Sequence, residues 1–187
     1  MTKRKRARAA PLVAILAICA ALCCVGALGY RLFQRQTHPI KYEEYVERYS
    51  QEFGVDKFFV YAVIKTESGF RPEARSNVGA RGLMQIMEQT FDWLKFKQGD
   101  EQAVYYDMYD PETNIRYGCY LLGYLVDEFG SEETAAAAYH AGRGQVNEWL
   151  ADSSISADGV HLDTIPIRDT AHYVNKVEKA KAVYLSL

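Results

Sequence analysis

A run of twenty residues without a charge, Ala9 to Leu28, divides this chain. At about 1.5 Å per residue a helix of that length spans about 30 Å, the thickness of a hydrocarbon core. Lys3, Arg4, Lys5, Arg6 and Arg8 precede the run, and a basic flank tends to stay in the cytoplasm. The pattern predicts a basic cytoplasmic flank over residues 1–8, a transmembrane anchor over 9–30, a juxtamembrane linker over 31–40 and one outer domain over 41–187. The expected location is the cell membrane, single-pass, with the outer domain extracytoplasmic. A cleaved signal peptide is the competing reading, because Ala27 and Gly29 offer small residues where a signal peptidase reads. The apolar run exceeds the usual signal length, which favours the anchor; cleavage would give a secreted form. Cys19 follows Ile18, where lipid attachment calls for a small residue, so a lipoprotein is disfavoured.

Charge divides along the same line. Seven basic residues and no acid lie before Gln36, so the remainder holds 15 basic residues against all 24 acids, about −9, and the formal total of −2 hides the asymmetry. A body of that sign is repelled by phosphate backbones, which excludes nucleic acid as a partner held through bulk charge. Cys119 is the lone cysteine of the outer domain, so no internal disulfide can staple it and its core must hold it. Among Tyr117, Tyr120, Leu121 and Leu122, Cys119 reads as a packing residue.

The outer domain lacks alternating strand patterns and Asn-Gly hairpin signals, while helical periodicity recurs throughout. A first helix is expected over Tyr42 to Phe53. A second runs from Lys57 to Ser68, capped by Asp56 and stopped by Gly69. Residues 71–82 read as loop, and a helix resumes over 88–97. Asp110-Pro111 opens a long helix that ends before Gly130. A short alanine-rich helix spans Glu132 to His140, residues 151–164 read as loop, and a last helix covers 169–185. The fold class is all-α, a compact multi-helix domain preceded by one N-terminal transmembrane helix.

One residue breaks local rules. Glu67 sits in the last turn of a helix whose preceding residues run Phe58-Phe59-Val60-Tyr61-Ala62-Val63-Ile64. Its charge faces the negative end of the helix dipole. Val63 and Ile64 lie one turn back, so apolar surface is expected against the carboxylate. Both effects push its pKa up, which a general acid near neutral pH needs. A helix-end glutamate is otherwise an ordinary solvated residue.

The following residues change that balance. Glu67-Ser68-Gly69-Phe70, then Ala74 through Met87 with Gly79-Ala80-Arg81-Gly82-Leu83-Met84-Gln85-Ile86-Met87 at its end, resembles the active-site signature of lytic transglycosylases, the goose-type-lysozyme-like enzymes that cleave bacterial peptidoglycan. Ala138-Tyr139-His140-Ala141-Gly142 and Ile165-Pro166-Ile167-Arg168-Asp169-Thr170, leading to Tyr173-Val174, follow in the family's order. The resemblance covers roughly residues 45–185 and implies a lysozyme-like helical fold, with 41–187 as the catalytic domain. Position by position it implies Glu67 as the sole catalytic acid/base, Ser76, Gln85 and Met87 lining the sugar cleft, and Tyr139 close to the carboxylate. Gln85 can supply amide donors and an acceptor to sugar hydroxyl and acetamido groups. Ile86 reads as core, and Met84 as core or cleft. His140 and Asp169 are supporting positions, and both depart from the family's usual Asn and Glu. Ala171 and Glu88 stand where Arg and Pro are usual.

The resemblance implies peptidoglycan glycan strands as substrate, cleaved between N-acetylmuramic acid and N-acetylglucosamine to give a 1,6-anhydromuramoyl end, with no metal or organic cofactor. Partners are then the glycan, the cytoplasmic membrane through the N-terminal helix, and cell-envelope assemblies. A muramidase acting on the same bond, and a non-catalytic peptidoglycan-binding component of an envelope assembly, are the alternatives. His38, His140, His161 and His172 show no metal-ligand spacing, and neither a phosphate-binding glycine loop nor a nucleophile elbow occurs.

Overall fold

The computed structural model describes residues 3–187, with side chains from residue 18 onward. The chain divides into two compact units, residues 1–39 with Leu187, and Ile40–Ser186. The first unit carries helix α1, Lys3–Thr37. Among the described residues no helix is long and apolar enough to cross a membrane. The run behind the anchor expectation starts in residues 9–17, whose side chains lie outside the described residues.

The second unit is all-helical: α2 Glu43–Glu52, α3 Lys57–Glu67, α4 Glu88–Gln98, α5 Pro111–Phe129, α6 Glu132–Ala141, α7 Arg143–Ala151 and α8 Arg168–Ser186, with a 3-10 turn over Tyr105–Tyr109. The start signals act as expected. Asp56 accepts hydrogen bonds from the backbone N–H groups of Phe58 and Phe59, Asp110 from that of Thr113 with Pro111 in the first turn, and Ser131 from that of Thr134. Gly130 closes α5 in the left-handed region, φ 69°. Two elements were not expected. The 3-10 turn and α7 are the additions, and α7 starts after Gly142 with no side-chain cap.

Helix α3 is the central strut. Phe59 through Ile64 are all buried, four of them completely, so α3 is apolar on every side as an internal helix must be. It packs most extensively on α8, while α6 lies against α5, α7 and α8. Ala135, Ala136, Ala137 and Ala138 are buried, and their small side chains let neighbouring helices approach α6 closely. Tyr61 joins this core to the C-terminal helix, its ring 5.4 Å from that of Tyr184. Each fully buried large apolar side chain here contributes about 1.5–3 kcal/mol. Cys119 is buried as expected, and burial pushes its thiol pKa well up, which leaves it inert.

Between α3 and α4 the chain folds into a tight loop with isolated antiparallel bridges, Arg75 to Arg81 and Arg81 to Ile86. Tyr105 clasps it from outside: its hydroxyl hydrogen-bonds the carbonyls of Gly79 and Ile86 at 2.7 and 3.0 Å, with the Arg81 guanidinium 4.0 Å above its ring. The 3-10 turn therefore holds the loop in shape.

Candidate active site

Glu67 closes α3, so its position is fixed by the best-packed helix of the domain. The residue keeps part of its surface open, while its carboxyl is surrounded by protein. Burial pushes its pKa up to about 7, and the Tyr173 hydroxyl opposes part of that rise. Loss of water is the leading cause. The Tyr173 hydroxyl is buried close to the carboxyl but completes no well-formed hydrogen bond among the described residues.

Tyr139, at the end of α6, lies near enough to Glu67 for the two to interact electrostatically. Its hydroxyl donates a 2.6 Å hydrogen bond to the carbonyl of Met84. That bond ties the loop after α3 to α6 beside the carboxylate. The Tyr139 hydroxyl is thus directed at the backbone.

His140 is exposed and lies against α8. Its ring stacks on Tyr173, centroids 4.6 Å apart, and Nδ1 shares a 3.1 Å hydrogen bond with Thr170 Oγ1. Glu67, His140, Asp169, His172, Tyr173 and Lys176 line one open cleft of about 330 Å³. Burial lowers the His140 pKa, and Asp169, exposed at the cleft rim, offsets part of that fall. Among the described residues its carboxylate accepts no hydrogen bond.

The loop residues turn out differently in part. Gln85 adopts a left-handed backbone, φ 49°. Its side-chain Nε2 donates to the carbonyls of Ala74 and Gly82, at 3.1 and 2.8 Å. Both amide protons are therefore engaged in closing the loop. Ser76 Oγ accepts a 3.0 Å hydrogen bond from the backbone N–H of Ala80 and staples the same loop. Met87 stands exposed before α4, whereas Met84 and Ile86 are core.

Asn114 holds the same loop and has no signal of its own in the sequence. Buried on α5, it accepts from the Met84 N–H at 2.8 Å and donates to the carbonyls of Arg81 and Met108 at 3.1 and 2.8 Å. Gly82, φ 79°, lies so close to Asn114 and the Met108 carbonyl that a Cβ would collide with both. Among the described residues no group of His, Cys, Asp and Glu is placed to hold a metal.

Residues 44–160 match the transglycosylase SLT domain. The chain belongs to this family. It is 34% identical over 149 residues to the soluble lytic murein transglycosylase of Salmonella typhimurium, covering 78% of this chain and 23% of that one. It is 35% identical over 118 residues to the membrane-bound lytic murein transglycosylase C of Sodalis glossinidius, covering 57% and 32%. Among solved structures, an inactive glutamate-to-glutamine mutant of the Pseudomonas aeruginosa lytic transglycosylase Slt superposes with a TM-score of 0.70 at 33% identity, over 79% of this chain and 24% of that one. The complex of a 70-kDa soluble lytic transglycosylase with bulgecin A gives 0.73 at 29% identity, over 82% and 25%. This member of the SLT family spans about a quarter of the length of those soluble relatives, and its fold is the lysozyme-like all-helical one expected.

Proposed function

We propose that this SLT-family chain is a peptidoglycan lytic transglycosylase in which Glu67 acts first as acid and then as base. The observation that carries the reading is a single carboxyl on a rigid helix end, desolvated until its pKa is about 7 and open to a cleft. At neutral pH such a group is protonated in about half of the molecules, which suits it both to give a proton and to take one back. Protonation of the glycosidic oxygen releases the N-acetylglucosamine side. The Glu67 carboxylate then takes the proton of the C6 hydroxyl of the same muramic residue as that oxygen attacks C1. Intramolecular attack has a high effective concentration, so no enzyme nucleophile is needed. Names of relatives on both sides of the soluble and membrane-bound divide agree with the substrate.

Residues 41–187 are the catalytic domain in this reading. Met87 borders the glycan, Ser76 and Gln85 hold the loop that faces it, and Tyr139 fixes that loop beside Glu67. Residues 9–30 form the anchor, supported by the uncharged run and its basic flank, which puts the domain outside the cytoplasmic membrane. Envelope assemblies are its expected company.

Asp169 favours one second reading. It is another carboxylate in the same cleft, and a hydrolase of the muramidase type uses a second carboxylate to activate water or as nucleophile. Digestion of purified peptidoglycan by the full chain, read by mass spectrometry beside a Glu67→Gln control, separates the two. Anhydro-ended fragments, one water lighter, are expected. Reducing ends establish the muramidase, and intact glycan at every pH leaves only a binding role.

A further inference from the structure

His140 stands at the end of α6 as an exposed ring lying on a buried one. It stacks on Tyr173 of α8 with centroids 4.6 Å apart and planes at 29°. The Tyr173 hydroxyl is enclosed beside Glu67 and completes no well-formed hydrogen bond among the described residues. A hydroxyl without a firm bond does not hold its own ring in place. Whatever fixes that ring therefore fixes the hydroxyl too.

We propose that His140 is a positioning residue: its ring clamps Tyr173, and the clamp keeps the Tyr173 hydroxyl against the Glu67 carboxyl. The inference rests on the reading of Glu67 as acid and base, and names what holds the group that acts on it. The stack is the first side of the clamp, an aromatic pair in which one ring is anchored on α6 and the other on α8.

The second side is a pin on the histidine ring itself. Nδ1 lies 3.1 Å from Thr170 Oγ1, and Thr170 is buried one turn before Tyr173 on the same helix. That hydroxyl makes no second hydrogen bond among the described residues, so its proton goes to Nδ1. The assignment fixes the tautomer, with the ring proton on Nε2. Only a neutral imidazole accepts at Nδ1, and burial holds the His140 pKa below its ordinary value, which keeps the ring neutral at pH 7. Asp169 offsets part of that fall, and His172 and Lys176 of α8 and Glu67 of α3 are the other titratable groups that share the cleft with this pair. Helix α8 thus presents Thr170 and Tyr173 on one face, and one imidazole engages both. Asparagine, the family's usual residue at this position, can keep the bond to Thr170 but has no ring to stack.

A double-mutant cycle read on Glu67 tests the clamp. The full-length chain is held in detergent without substrate, with glutamate carboxyls isotopically labelled for NMR, and the Glu67 signal is identified by its loss in Glu67→Gln. Its titration midpoint is measured with and without Tyr173→Phe, first in wild type and then in His140→Ala. Water admitted by the smaller residue acts on both members of a pair and cancels. In wild type, Tyr173→Phe should raise the midpoint by about one pH unit. In His140→Ala the same change should raise it by less than half as much. His140→Phe keeps the stack without the pin and His140→Asn the pin without the stack, so each should recover part of the Tyr173 effect. An equal Tyr173 effect in wild type and His140→Ala overturns the proposal, even if His140→Ala melts earlier, because a merely structural histidine would do only that. An absent Tyr173 effect in wild type overturns it as well. Cleavage of peptidoglycan is read separately. A Tyr173 effect that depends on His140 in a chain that cleaves nothing supports the clamp and sinks the catalytic reading, whereas cleavage without that dependence does the reverse.

Discussion

The side-chain oxygen of Asn114 accepts a 2.8 Å hydrogen bond from the backbone nitrogen of Met84, thirty residues earlier. The same side chain donates to the carbonyls of Arg81 and Met108, so one buried amide holds the loop that Tyr139 ties to α6. Asn114→Ala leaves one N–H and two carbonyls without their partner, at a cost of about 2–4 kcal/mol. Urea unfolding should show a clearly lower midpoint, with a further loss of activity at temperatures where the variant is folded. A midpoint within about 0.5 kcal/mol of wild type would sink this role.

Glu67 makes stability depend on pH in an unusual direction. Its folded pKa is about 7 against an ordinary 4.5, so the fold prefers the protonated carboxyl. That preference is fully present below about pH 4.5 and lost as pH rises through 7. Glu67→Gln, which mimics the protonated group, should match wild type near pH 4 and exceed it by on the order of 2–3 kcal/mol at pH 8. Thermal unfolding of both proteins at the two pH values checks this. A Gln variant no more stable at pH 8 than wild type contradicts the burial of the carboxyl.

Tyr173→Phe removes the hydroxyl that favours ionised Glu67. The Glu67 pKa should rise further, because desolvation then acts unopposed. Since the acid form is needed in the free enzyme, the alkaline limb of kcat/KM should move to higher pH. A limb that stays in place would show that the hydroxyl does not act on the carboxyl.

Gly118 of α5 meets Met84 so closely that a Cβ added there would land on its sulfur. Alanine is the better helix former by about 1 kcal/mol, but Met84 is fully buried and has no room to swing aside. Gly118→Ala should therefore destabilise by about 1–3 kcal/mol. A raised melting temperature would show that the Met84 side chain relaxes freely.

Features that depend on neighbours in the chain were legible. Asp56, Asp110-Pro111 and Gly130 act within one turn of where they stand, and Glu67 stood out because seven apolar residues crowd its helix. Features made by closure in space were not. Asn114 looks like any polar residue on an amphipathic helix until the loop thirty residues before it folds onto it. Nothing local to Gln85 reveals that Ala74 and Gly82 take its amide protons. Helix α7 has a glycine start without a side-chain cap and a largely polar sequence, so its stability comes from Val146 and Trp149 buried against the rest.

The cysteines carry a practical consequence. Cys119 is sealed inside the domain, whereas Cys19, Cys23 and Cys24 are all exposed on the N-terminal helix. A maleimide added to the native protein therefore reads only that helix. If the helix lies in a bilayer, the three thiols are shielded in intact vesicles and label once detergent strips the lipid; if it was removed during export, nothing labels at all. The molecule thus comes with a built-in gauge of its own attachment, and no engineered tag is needed to use it.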